Sequence, residues 1–95
     1  MRRHRSDHNQ AEIVKGLRGY GVSVFILSNV GGGCPDILCG YRNKNYIIQI
    51  KRGDVPPSQR KLTPDEAEFA SRWNGQYDVA HTLEEALIAV GIKKK

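Results

Sequence analysis

The chain has 95 residues, of which 39% are hydrophobic and 26% are charged, so it can form one small domain around one core. No apolar run approaches the roughly 20 residues of a membrane span, and no apolar segment follows the basic residues 1–5. The composition therefore argues against a membrane helix and a secretory signal. We expect a single domain over residues 1–95, with its core at 7–91 and basic tails at both ends.

The net charge of +5 is unevenly distributed. Residues 1–60 hold ten Lys and Arg against four Asp and Glu, whereas residues 61–95 hold five against six. An excess of positive charge in one region is typical of proteins that bind a polyanion, most simply nucleic acid. A basic patch that docks an acidic protein is the alternative.

Two cysteines, Cys34 and Cys39, are too few for a disulfide framework. Their spacing, with no further Cys and no clustered His, is also a poor match to a zinc site. We therefore expect two reduced, largely buried thiols in a protein of the cytoplasm.

Hydrophobic periodicity and helix caps predict seven elements in the order α-β-β-β-α-β-α. They are a helix at 7–20, strands at 22–27, 37–41 and 46–51, a helix at 63–73, a strand at 76–80 and a helix at 82–90. The strand at 22–27 is short, β-branched and apolar, which is typical of a buried strand. This order predicts a small α/β domain in which helices flank a mixed sheet on both sides.

Two capping boxes mark helix starts, at residues 63–66 and 82–85, where Thr is followed three residues later by Glu. In the first of these helices, Phe69, Ala70 and Trp73 are predicted to face inward. Within the first helix of the chain, Gly16 leaves room for another backbone to approach closely.

The strands at 37–41 and 46–51 form a predicted hairpin across turn residues 42–45. A two-residue turn at Arg42 and Asn43 places Asp36 opposite Gln49, whereas a four-residue turn places Asp36 opposite Lys51. In both registers Asp36, Gln49 and Lys51 share one face, because side chains alternate along a strand. The prediction therefore does not depend on the length of the turn.

The residues Gly33-Cys34-Pro35-Asp36, followed after twelve residues by Gln49-Ile50-Lys51, resemble the motif of the PD-(D/E)XK nucleases. Within that superfamily the chain is similar to the VRR-NUC family, including its short virus-encoded members. The first helix and the segment Leu62-Thr63-Pro64-Asp65-Glu66 extend the resemblance over residues 7–91. It implies a restriction-endonuclease-like fold and a metal-dependent endonuclease, with a cytoplasmic location in the host if the chain is virus-encoded.

Phosphodiester hydrolysis needs stabilisation of the charge that builds on the phosphate, and a nucleophile at neutral pH. Mg²⁺ or Mn²⁺ held by Asp36 and the side-chain carbonyl of Gln49 can serve both needs, with the backbone carbonyl of Ile50 as a third ligand. Lys51 can bind the phosphate or orient the attacking water. The glycines before Pro35 leave room for a nucleic-acid backbone.

Gln49 departs from most of the superfamily, whose members carry Glu at this position, although the virus-like VRR-NUC members are similar in using Gln. Glutamine supplies an oxygen but no charge, so metal affinity should fall. A catalytically weak or inactive nucleic-acid-binding module with the same fold is therefore the alternative to an active nuclease.

The superfamily often adds an acidic ligand from the first helix, for which Glu12 and Asp7 are the candidates here, with Gln10 as a polar neighbour of the site. The candidate phosphate contacts are basic residues: Arg3, Arg5, Lys15, Arg18, Arg52, Arg60 and Lys61. The resemblance also implies a homodimer that cuts branched DNA such as four-way junctions. A dimer would bury apolar surface that so short a chain covers poorly.

Overall fold

The computed structural model describes residues 7–94, with side chains from residue 9 onward. Within this range three α-helices and four strands follow one another in the predicted order, and a 3-10 helix at Pro57–Gln59 precedes the second helix. The elements are α1 Asp7–Gly19, β1 Ser23–Ile26, β2 Ile37–Tyr41, β3 Lys44–Ile50, α2 Pro64–Arg72, β4 Tyr77–Ala80 and α3 Leu83–Ala89. No helix in these residues combines the length and apolar character needed to cross a bilayer.

The four strands form one mixed sheet in the order β1-β2-β3-β4. β1 and β2 pair antiparallel, as do β2 and β3, whereas β3 and β4 pair parallel. In the β2–β3 hairpin Ile37 lies opposite Ile48. The prediction of a small α/β domain with a mixed sheet is confirmed.

The turn of the hairpin consists of Arg42 and Asn43, whose φ angles are +54° and +66°. Two consecutive residues with positive φ are typical of the type I′ turn, whose twist matches that of hairpin strands. β3 therefore begins at Lys44, two residues earlier than predicted. The register is the first of the two expected, in which Asp36 lies opposite Gln49.

The main core lies between one face of the sheet and the helices α1 and α3. Ile37, Ile48 and Ile50 point into it and are almost fully buried, together with Leu17 of α1 and Leu87 of α3. Side chains alternate between faces, so Gln49 and its neighbours of the same parity point to the opposite side of the sheet.

Helix α2 lies over only part of that opposite side, near β4 and the end of β3. Phe69 of α2 lies 6.4 Å, between ring centroids, from Tyr77 of β4. No residue of α2 is buried, and the prediction that Trp73 faces inward is wrong, since it is 45% exposed. The helix ends at Arg72, so Trp73 stacks on Phe69 at 5.3 Å instead of entering a core.

The strand β1 is not buried as predicted from its composition. It forms an edge of the sheet, and Phe25 remains 66% exposed while Ile26 is also exposed. Only the face of β1 that includes Val24 packs against the core. Phe25 points to the opposite face, where no helix of the described chain covers β1, so its side chain remains in solvent.

The first capping box forms in full, since Thr63 and Glu66 bond reciprocally. The second forms in half: Thr82 accepts from the backbone of Glu85, whereas the Glu85 carboxylate accepts from the backbone and ring of His81 instead. A Cβ at Gly16 would overlap the side chain of Leu83, so the close approach is made by a side chain of α3 and not by a backbone.

Candidate active site

An open cleft of about 760 Å³ lies at the end of β3. It is bounded by the glycine loop at residues 31–33, the segment after β3 and the start of α2. Asp36, Gln49 and Lys51 all line this cleft, so the three residues singled out from the sequence are brought together. The remaining lining residues are Ser28, Gly31, Gly33, Cys34, Ile50, Arg52, Val55, Gln59, Thr63, Asp65 and Glu66.

Asp36 is fixed at the start of β2 by backbone bonds on both sides. Its N–H donates to the carbonyl of Ile48 at 3.1 Å, and its carbonyl accepts from Leu27 at 2.8 Å. The Oδ2 atom of Asp36 accepts from the amide Nε2 of Gln49 at 2.9 Å and from the backbone N–H of Ile50 at 2.7 Å. The carboxylate is therefore held against the next strand by two short bonds, one of them from the backbone.

Gln49 is a polar residue in a strand that is otherwise rich in isoleucine, and its side chain is only 3% exposed. Burying an amide is unfavourable unless its polar atoms have partners. Its amide orientation is set by Asp36, because turning the amide over would place two oxygen atoms against each other. The other end of the amide, Oε1, is buried and has no hydrogen-bond partner among the described residues. An unpaired buried carbonyl oxygen costs about 1–3 kcal/mol, so this atom is available to accept from a bound water or to coordinate an ion.

Lys51 is held by a residue that the sequence indicated only as a helix cap. Its Nζ lies 2.7 Å from Oε1 of Glu66, and the two side chains are 17% and 18% exposed. Burial acts to raise the pKa of Glu66, but hydrogen bonds from Lys51 and Thr63 and the charge of Lys51 outweigh it and hold that pKa below its ordinary value. The capping box signals a glutamate at this position, but nothing in the local pattern shows that α2 returns to the end of β3.

The cleft is acidic although the chain is basic. Three acidic side chains, Asp36, Asp65 and Glu66, line it against two basic ones, Lys51 and Arg52. Burial raises the pKa of Cys34, and the charge of Asp36 adds to the effect. Burial and the charges of Glu66 and Asp36 likewise raise the pKa of Tyr77.

The cysteines are both free, as expected. Cys39 is fully buried in the main core, and burial raises its pKa to about 11. Cys34 is half-buried at the cleft, where its N–H bonds to the carbonyl of Gly31.

The predicted contributions of the first helix divide into three cases. Gln10 is buried, and its Oε1 accepts from the hydroxyl of Ser28 at 2.9 Å. Because Ser28 lines the cleft, Gln10 contacts the site indirectly, through this bond. Glu12 is exposed and lines a separate depression with Asn9 and His81, so the structure does not bring it to Asp36. The side chain of Asp7 lies outside the part of the chain that the structure describes.

Among the predicted phosphate contacts, Arg52 alone of the described residues lines the cleft, and it forms a two-pronged pair with Asp54 at 2.9 Å. Arg60 closes its own loop, since its guanidinium donates to the carbonyls of Val55 and Gly53 at 2.9 and 3.1 Å. It is therefore engaged in holding the segment after β3.

The other basic candidates lie away from the cleft. Arg18 donates to the carbonyl of Val24 at 2.9 Å, on the edge strand. Lys15 and Lys61 are exposed and do not line the cleft. Arg3 and Arg5 lie outside the described residues.

The oxygen atoms that line the cleft are of the type that a hard divalent cation prefers, but only one of the proposed ligands, Asp36, is charged. Asp36 offers a carboxylate, Gln49 offers an unpartnered amide oxygen and Ile50 lines the same cleft, and oxygen ligands suit Mg²⁺ and Mn²⁺. Among the side chains that the structure describes, which begin at residue 9, no group of three or more His, Cys, Asp and Glu is arranged to hold a metal ion. A cation here would therefore depend on one charged ligand and on neutral oxygens.

No protein-family model, curated protein or solved structure matches this chain.

Proposed function

We propose that this chain is a divalent-metal-dependent endonuclease that hydrolyses DNA phosphodiester bonds, with a PD-(D/E)XK site of the VRR-NUC kind. The observation that carries the proposal is the buried amide of Gln49. It donates to Asp36 and leaves its own carbonyl oxygen unpartnered in the described structure, in a cleft that Lys51 also lines. The bond to Asp36 accounts for the amide nitrogen of Gln49, but it leaves the buried carbonyl oxygen free for a ligand.

The charge of the cleft supports a requirement for metal. With three acidic side chains against two basic ones, the cleft favours a cation over a bare phosphate diester. Asp36, the Oε1 atom of Gln49 and the backbone carbonyl of Ile50 would hold Mg²⁺ or Mn²⁺. When bound, the ion supplies charge neutralisation for the phosphate and a nucleophile at neutral pH.

The chain's own residues have distinct tasks in this scheme. Asp36 is oriented by the backbone N–H of Ile50, so it does not depend on a flexible partner. Lys51 donates to a non-bridging phosphate oxygen or orients the attacking water, since its side chain lines the same cleft.

The proposed substrate is branched DNA such as a four-way junction, and the proposed active form is a homodimer. Both follow from the resemblance, and the exposed Phe25 and Leu38 on the cleft side of the sheet support the dimer. The free cysteines and the resemblance favour a cytoplasmic location, in the host cell if the chain is virus-encoded.

A DNA-binding module without useful catalysis is the second candidate. The low charge of the ligand set favours it, since Gln49 adds no charge and the described residues form no acidic metal cluster. Such a module would bind DNA in a salt-dependent way without cutting it, because neutralising phosphates releases counterions.

The test is cleavage of labelled four-way, flap and linear duplex DNA with Mg²⁺, with Mn²⁺ and with chelator. We expect metal-dependent cleavage by the wild type and a loss of at least about 100-fold in Asp36→Asn and Lys51→Ala. Lys44→Ala is the matched control, because Lys44 is exposed on the same strand away from the cleft and should retain activity. A wild type that binds these DNAs but cuts none with either metal would favour the binding module instead.

A further inference from the structure

The ion pair between Lys51 and Glu66 joins the end of β3 to the first turn of α2. The Nζ–Oε1 distance is 2.7 Å, and neither side chain is more than one fifth exposed. A lysine ammonium on a four-carbon stem samples many positions when nothing holds it. The pair therefore confines the Lys51 amine to one side of the cleft.

Glu66 is itself fixed by the capping box and does not simply follow Lys51. The same Oε1 atom accepts from the backbone N–H of Thr63 at 2.9 Å, and the N–H of Glu66 donates to Oγ1 of Thr63 at 3.2 Å. Glu66 therefore links the Lys51 amine to the backbone at the start of α2, since its Oε1 contacts both Lys51 and the N–H of Thr63.

The charge of Glu66 is not needed for the cap. Glutamine at the third helical position closes a capping box as well as glutamate does. An ion pair at this exposure also contributes little net stability, because desolvation offsets attraction. The carboxylate therefore has one partner that specifically uses its charge, and that partner is Lys51.

We propose that Glu66 is a positioning residue that holds Lys51 in place for the reaction. This inference rests on the proposed nuclease function, since Lys51 acts there on the phosphate or the water. Glu66 does not touch the substrate in this scheme; it acts through Lys51 alone.

The variant that tests the proposal is Glu66→Gln, which keeps the cap and removes the charge. We expect kcat on four-way DNA to fall roughly 10- to 100-fold with little change in KM, since misplacing a catalytic group by about 1 Å costs that much. In a Lys51→Ala background the same substitution should cause no further loss. The matched control is Glu68→Gln, which removes an exposed ion pair with Arg72 from the same helix and should leave kcat unchanged.

A second readout does not need nuclease activity. Acetylation of lysine amines by limiting acetic anhydride, followed by peptide mass spectrometry, compares Lys51 with the exposed Lys61. We expect Lys51 to react several-fold faster in Glu66→Gln than in the wild type or in Glu68→Gln, with Lys61 unchanged in all three.

The outcomes separate the two hypotheses. An active wild type with equal kcat in Glu66→Gln would overturn the positioning role, as would unchanged acetylation of Lys51. A wild type that cleaves no DNA would overturn the proposed function, whereas faster acetylation in Glu66→Gln would still show that Glu66 holds Lys51.

Discussion

Gln49 is the residue on which the metal hypothesis depends most directly. Its Nε2 donates to Oδ2 of Asp36 at 2.9 Å, and its Oε1 is buried without a partner in the described structure. A glutamate at position 49 would lose the hydrogen bond to Asp36 and would bring two carboxylates into contact. That arrangement is unfavourable without a cation and favourable with one.

We therefore predict that Gln49→Glu lowers the free energy of unfolding by about 1.5–3 kcal/mol in chelator, the range for losing a hydrogen bond to a charged group. Mn²⁺ should recover much of that loss and should bind more tightly than to the wild type. Urea unfolding with and without Mn²⁺ and calorimetric titration measure the two effects.

Gln59→Glu is the control for this substitution, because Gln59 lines the same cleft but is exposed. It should change neither stability nor metal affinity appreciably. Equal metal affinity in Gln49→Glu and the wild type would show that Gln49 is not a ligand.

At the scale of single elements, the turn of the β2–β3 hairpin determines the register of the two strands that carry the site. Arg42 and Asn43 adopt positive φ, and that two-residue turn fixes which residues of β2 and β3 face each other. The sequence left the turn length open, yet it predicted one shared face for Asp36, Gln49 and Lys51, because alternation along a strand does not depend on where the turn lies. Local patterns therefore sufficed for this part of the site.

The glycine loop connects that hairpin to α2 by direct packing. A Cβ on Gly33 would overlap the backbone of Asp65 in the first turn of α2, and the φ of Gly33 is +81°. Gly32 also has positive φ, +66°, but a Cβ there would meet nothing within 4 Å. A substitution at Gly32 would therefore cause backbone strain alone, whereas one at Gly33 would cause both strain and steric overlap. The space at Gly33, which the sequence assigned to a nucleic-acid backbone, is taken by α2.

We predict that Gly32→Ala lowers stability by about 1–2 kcal/mol, the cost of a left-handed conformation for an L-residue. Gly33→Ala should cost a further amount of about 1–3 kcal/mol, because α2 must move away from the loop. Urea denaturation of the two variants measures the difference. Equal losses in the two would contradict the view that this glycine seats α2.

At the scale of the whole molecule, what the sequence could not predict was set by neighbours that are distant along the chain. The apolar content of β1 indicated burial, but burial depends on how many layers flank a strand, and Phe25 lies at an edge. Trp73 follows the helical spacing of Phe69 but lies beyond the last turn of α2. The pairing of Glu66 with Lys51 likewise depends on the return of α2 to the sheet.

Two of the exposed apolar residues lie together on one side of the sheet. Phe25 and Leu38 are cross-strand partners, 66% and 36% exposed, on the face that also includes Gln49. Val30, in the loop after β1, is 65% exposed. Arg18 bonds to the carbonyl of Val24, so the β1 edge is partly blocked for strand-to-strand extension. If the chain forms a dimer, we therefore expect the contact to involve the face of β1 and β2.

We predict that the wild type elutes with light scattering near twice its 10.7 kDa mass, and that Phe25→Ser elutes as a monomer. We expect Phe25 to act as a hot spot of the interface, and truncating a hot spot costs about 2 kcal/mol or more of association. Tyr20→Ser is the control, because Tyr20 is exposed outside these two strands and should leave the dimer intact. Because the patch shares its side of the sheet with the cleft, the monomeric variant should also lose paired cutting of four-way junctions while retaining single nicks. A wild type that remains monomeric at high concentration, or a Phe25→Ser variant that remains dimeric, would place any interface elsewhere.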